Sequence, residues 1–174
     1  QVLQPRYDEF KRLLAWVADK QEISIKAHWP NMQAIFEEIG NAAPELKQMK
    51  AAMAGKRQDA AYYDLIDAGR LVERLLGEKR DAEQTKLLER LQPLVVEHRV
   101  NRVYGESVVS HLAFLIETAK EDVFHQEVSK LQEELTGRMN LKYITGAPPV
   151  NFVTIVIHLE AEQPKEGSSG DVST

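Results

Sequence analysis

An α+β fold, with a ferredoxin-like split β-α-β sheet and an enlarged helical (αα-hairpin) insertion, is predicted by three features of the chain. Glu22 to Trp29, EISIKAHW, alternates strictly. Ile23, Ile25, Ala27 and Trp29 share one face and Glu22, Ser24, Lys26 and His28 the other, the pattern of a half-buried strand. Ser107 to Glu117, SVVSHLAFLIE, carries apolar residues on both faces, as a central strand does. Met139 to Leu159, MNLKYITGAPPVNFVTIVIHL, reads as strand, Gly-Pro-Pro break, strand. Helical-period segments separate these runs. The resulting order is strand, helices, strand, strand, helix, strand, the split β-α-β arrangement.

The remaining elements follow from local pattern. Tyr7, Phe10, Leu13, Leu14 and Val17 are spaced as one helical face. Pro30 ends the first strand, Asn31 is placed to cap the next helix, and Met32, Ile35, Phe36 and Ile39 form its stripe, closed by Gly40. Ala43 to Ala54 is helical with Leu46, Met49 and Met53 inward, and Gly55 breaks it. Asp59 opens a further helix whose inner face is Tyr62, Leu65, Ile66, Gly69, Val72 and Leu76, with Gly77 as its end. Arg80 to Leu94 then returns antiparallel to it, with Leu87, Leu88 and Leu91 inward, completing the αα-hairpin. VVEHRVNRV fits either a strand or a fraying helix end, and Tyr104-Gly105 a turn. Lys120 to Leu135 is helical around Val123, Phe124, Val128, Leu131 and Leu135. Leu141–Ile144 and Phe152–Leu159 close the sheet, with Pro148-Pro149 aiming Phe152 into the core. Residues 1–21 are expected to be a helical linker or exit segment of a preceding domain, 22–159 the α+β domain with its insertion at about 42–94, and 160–174 a disordered tail. From the missing initial methionine, a fragment or processed form is expected.

Composition narrows the function classes. The 174 residues are 43% hydrophobic and 28% charged, an ordinary globular balance. A formal net charge of -5 disfavours a broad nucleic-acid or anionic-membrane surface. Zero cysteines exclude disulfides, thiol catalysis and cysteine metal sites, and fit a reducing compartment. No apolar run has the length of a membrane span, so no membrane partner is expected. Neither GxxxxGK[ST] nor GxGxxG occurs, so no phosphate-cradling loop is expected. The histidines His28, His98, His111, His125 and His158 form no HExxH and no compact ligand set. Ser110 and His111 point to opposite faces of a strand and do not make a nucleophile–base pair. No catalytic, cofactor or metal residue is therefore assigned.

Four segments in order resemble the gas vesicle accessory proteins of types F and L (GvpF/GvpL). These are the strand with Glu22, Lys26 and Trp29; AAYYDLIDAGRLVERLL with Tyr62, Tyr63, Gly69 and Arg70; SHLAFLIETAKEDVF with Ala113, Phe114, Leu115 and Phe124; and YITGAPPVNFV with Gly146, Pro148, Pro149, Asn151, Phe152 and Val153. Ala147 and Val150 depart from the family's common Pro and aromatic, and Ile144 is extra. The resemblance covers mainly the family's C-terminal domain, from about Glu22 to Val156. It implies a non-enzymatic gas vesicle assembly factor in the cytoplasm or at the vesicle. Its implied partners are the small shell protein GvpA and other accessory gas vesicle proteins, with no cofactor and no nucleic acid. Two alternatives are a small-molecule-binding or enzymatic ferredoxin-like domain and a minor structural component of the shell.

The partner-binding surface is expected on the tyrosine helix. Tyr63 and Arg70 are seven residues apart on nearly one face, an aromatic contact with a charged rim. The competing placement puts Tyr63 in the helix-pair core with Arg70 merely solvated.

Overall fold

Two antiparallel strands, one alternating apolar and polar and the other apolar on both faces, organise the chain. The computed structural model describes residues 7–54 and 58–153. Strands β1 (Lys20–His28), β2 (Glu97–Asn101), β3 (Val108–Glu117) and β4 (Asn140–Ala147) form one sheet in the order β2-β3-β1-β4, with every neighbouring pair antiparallel. Helices α1 (Tyr7–Val17), α2 (Met32–Ala42), α3 (Pro44–Met53), α4 (Gln58–Leu91) and α5 (Glu121–Glu134) surround it. β1 and β3 pair along their full length, from Lys20 opposite Glu117 to His28 opposite Val108. The ambiguous VVEHRVNRV segment is a strand because its register against β3 carries it from Glu97 to Asn101.

One face of the sheet holds the core. Ile23, Ile25 and Ala27 of β1, and Trp29 just after it, are all buried, as their alternation predicts. Across β3 they meet Phe114 and Leu112, and Phe114 packs 5.4 Å from the Phe124 ring of α5. Val128 and Leu131 follow on α5, Ile35 and Ile39 on α2, and Leu76, Leu87 and Leu91 on α4. Asn31 caps α2, its Oδ1 accepting from the Ala34 N–H at 3.1 Å. That helix runs through Gly40 and ends at Ala42.

Three expectations are corrected. The expected αα-hairpin, in which Arg80–Leu94 returns along the helix closed by Gly77, does not form: α4 is one 34-residue helix that passes through Gly77. A mid-helix glycine costs only about 1 kcal/mol, less than burying one leucine contributes. Here Leu76, Leu87 and Leu91 all bury on the same core, and the Arg74–Glu78 pair at 2.8 Å spans Gly77. Second, Phe152 lies in a turn and is half-buried, outside any strand. The closing strand is β4, extended beyond the expected 141–144, and residues 154–159 of the expected last strand lie outside the described residues, as does the expected tail. Third, Val123 is 55% exposed, off the buried stripe of α5.

Charge fastens the helices to one another and to the segment that leads into β4. Arg138, between α5 and β4, donates to both Glu38 oxygens of α2 (2.9 and 3.3 Å) and to Glu83 of α4 (2.8 Å). Lys79 adds a second cation on Glu38 at 2.7 Å. Arg90 of α4 joins Glu127 and Glu134 of α5.

Gly77 has no atom within 4 Å of where a Cβ would stand. Gly77→Ala is therefore expected to stabilise the domain by about 0.5–1 kcal/mol in denaturant melts, since it removes backbone freedom without a clash. Hydrogen bonds from Arg138 and then Lys79 lower the Glu38 carboxyl from 4.5 to about 2. A carboxyl depressed in the folded state adds stability that is present above its unfolded value and is lost as pH falls through its folded one. The stability advantage of the native chain over Glu38→Gln, read from urea midpoints, should hold at pH 7 and vanish between 4.5 and about 2.

Candidate functional site

The structure separates the motif residues into two groups. Three of the four motif segments build one scaffold. Glu22 is only 3% exposed, at the start of β1 on the sheet face away from Phe124. A buried carboxylate needs donors to replace its water. The chain after the Gly-Pro-Pro break supplies them: the Asn151 N–H donates at 2.9 Å and its side-chain amide at 2.5 Å. Gly146, within β4, adopts φ +75°, a left-handed conformation suited to glycine, at the register shift that sets Ala147 opposite Glu22. Leu115 pairs with Glu22 across the ladder and Phe114 packs on Phe124. Glu22 and Asn151, 129 residues apart, are thus one polar clamp inside the scaffold.

On the same sheet face, Ser24 Oγ and His111 Nε2 lie 2.9 Å apart. Burial, and then the neighbouring Lys26 charge, push the His111 pKa down, while Glu22 opposes them. This bond joins adjacent strands diagonally, a proximity the sequence does not show because the two residues are 87 apart. Among the described residues, no group of three or more His, Asp or Glu side chains could hold a metal ion. Nor is any described helix long and apolar enough to cross a membrane.

The fourth motif segment stands apart. Of the side chains described on α4, none before Leu76 is buried. Tyr62 is 60% exposed, Tyr63 74% and Leu65 57%, so among the described residues the expected inner face is left open. An open groove of about 490 Å³ lies where this face meets α2 and the turn between β2 and β3. Phe36, Val72, Leu76 and Val103 form its apolar wall, with Glu73 and Arg80 at its edge. Arg80 Nη2 donates to the Glu106 carbonyl at 2.5 Å and ties that turn to α4.

At about 100° per residue, Tyr62, Leu65 and Ile66 lie in line with Gly69 and Val72, prolonging the groove toward the start of α4. Tyr63 and Arg70 sit together on the adjoining flank. Tyr63 meets Tyr62 edge to face, ring centres 5.6 Å apart, and Arg70 pairs with Asp67 at 3.4 Å. Both expected site residues are thus exposed and share a helix face, and Tyr63 is not in a helix-pair core. The residues the expectation missed as surface are Tyr62, Leu65 and Ile66. Their signal was present as a core-type stripe, and only the tertiary structure shows that the described residues leave it open.

The sequence model for "Gas vesicle synthesis protein GvpL/GvpF" matches residues 1–154. The chain is 26% identical over 155 residues to gas vesicle protein F of Nostoc sp., covering 89% of this chain and 62% of that protein. It is 27% identical over 163 residues to gas vesicle protein F of Microcystis aeruginosa, covering 90% and 63%. The crystal structure of GvpF from Anabaena sp. superposes with a TM-score of 0.80 at 25% identity, over 90% of this chain and 63% of that one. The GvpF structure from Microcystis aeruginosa, at 22% identity and a TM-score of 0.73, shares the fold. The chain therefore spans less than two thirds of the length of these relatives.

The Glu22–Asn151 clamp makes a direct prediction. Asn151→Ala should cost about 1–3 kcal/mol, because a buried carboxylate loses a donor. In a Glu22→Gln background the same change should cost clearly less, since no charge is left uncompensated. A double-mutant cycle by denaturant melts reads the difference.

Proposed function

This chain belongs to the GvpL/GvpF gas vesicle synthesis family, and on that premise we propose that it is a non-catalytic gas vesicle assembly factor of the cytoplasm. It binds the small shell protein GvpA and other accessory gas vesicle proteins through the exposed face of α4. The observation that carries this reading is the apolar stripe Tyr62, Leu65 and Ile66 running into the groove beside Phe36 and Val72. A shell subunit must hide apolar surface from water before assembly. A helix face with aromatic and aliphatic side chains and charges at its edge suits such a client. Tyr63 and Arg70 belong to the same contact surface. Tyrosine supplies a rigid contact area with little entropy to lose, and Arg70, 76% exposed, supplies rim charge.

The reading of the domain as ferredoxin-like is supported by the sheet order β2-β3-β1-β4, with β3 lying between β1 and β2. It makes the sheet a platform and α4 the presenting element.

A titration of purified shell subunit tests the assignment. Ile66→Asp and Tyr63→Ala should each weaken binding about tenfold or more, with unfolding midpoints close to the native chain, because both side chains are exposed. Arg70→Glu should act less, and only at low salt. Native affinity in all three variants would remove this face of α4 from the interface.

A further inference from the structure

Strand β2 lies at one edge of the sheet and, among the described residues, pairs only with β3. Sheet edges left open attract other strands, and proteins blunt them with charge. This edge has charge, in a particular order. From 96 to 100 the sequence is Val-Glu-His-Arg-Val: apolar, acidic, histidine, basic, apolar. Val96 and Val100 are 45% and 51% exposed, large aliphatic side chains that the described residues leave open at this edge. Glu97 and Arg99 share one face of the strand and pair with each other at 2.6 Å, half open to water.

We propose that β2 is a self-association edge, through which two copies of this chain pair antiparallel with the two-fold axis at His98. Opposite residues in an antiparallel pair lie on the same face, about 4.5–5.5 Å apart between Cα atoms. An axis at His98 sets Val96 against Val100, Glu97 against Arg99, and each again by symmetry. Both apolar side chains gain an apolar neighbour and both charges gain an opposite one. Moving the axis one residue destroys this. At Arg99 it places two guanidinium groups face to face, and at Glu97 two carboxylates, with Arg99 against Val95. The charges that repel an unrelated strand are thus complementary to a copy of themselves, in this register alone. Val96 already donates its N–H to the Leu115 carbonyl at 2.8 Å, so the Val96–Val100 contact is made by side chains. A five-residue edge buries less than a standard interface, so the dimer is weak and reversible. The surface is separate from the α4 groove and does not depend on the gas vesicle assignment.

Sedimentation velocity of this chain from about 10 μM to about 1 mM should show a reversible monomer–dimer equilibrium. Glu97→Arg and Arg99→Glu should each weaken it about fivefold to tenfold, and the double exchange Glu97→Arg/Arg99→Glu should restore it. The chain has no cysteine, so a single introduced thiol reports pairing without background. His98→Cys should form a disulfide-linked dimer under mild oxidation, because residues on the axis fall within disulfide reach. Glu133→Cys, on the exposed side of α5, should not. A monomer at every concentration overturns the proposal. So does a dimer that the charge exchange fails to restore, or His98→Cys cross-linking no faster than Glu133→Cys.

Discussion

The antiparallel pairing of β1 with β3 is the constraint on which the rest of this domain depends. Both strands are interior to the sheet, and Ala113, Phe114, Leu115 and Ile116 of β3 are all fully buried. Side-chain period in a strand is two, so a slip of one residue would move Ile23 and Ile25 off the core face and bring Ser24 and Lys26 onto it. The register from Lys20 against Glu117 to His28 against Val108 therefore fixes several placements together. It presents Phe114 to Phe124, Glu22 to the turn holding Asn151, and Ser24 within reach of His111.

α4 turns that platform into a presenting device. Its second half is held by three buried leucines, by Glu83 with Arg138, and by Arg90 with Glu127 and Glu134. At about 1.5 Å per residue, 34 residues extend roughly 50 Å. The core buries described side chains of α4 only from Leu76 onward. The backbone is continuous through Gly77, so the position of Tyr62, Tyr63 and Ile66 is set by contacts of the second half together with α3, whose Glu45 pairs with Arg74 at 3.7 Å. A break at Gly77 would have folded these side chains onto Leu87 and Leu91 and removed the exposed stripe.

The two open surfaces differ in chemistry as well as place. The α4 face is aromatic and aliphatic with charge at its edge, which favours burial of a large apolar partner. The β2 edge carries few side chains and an ordered charge sequence, which favours a specific strand in one register. Both lie outside the core, so changes in either affect association more than folding.

Much of the architecture was legible in the residues. Alternation in EISIKAHW marked the buried face of β1, continuous apolarity in SVVSHLAFLIE marked a central strand, and Asn31 marked the start of α2. Tyr63 and Arg70 were legible as neighbours on one helix face, since that follows from the helical repeat alone. Three things were decided only in the tertiary structure. Gly77 reads as a helix end, yet its small local cost is outweighed by burial on both sides of it. Tyr62, Leu65 and Ile66 read as an inner face, because periodicity records that a stripe is apolar and cannot record whether another element covers it. Glu22 and Asn151, like Ser24 and His111, meet through strand pairing and a turn many residues away. Short-range periods follow from backbone geometry and are written locally, whereas coverage of a face and contacts across the ladder depend on which distant segments arrive there.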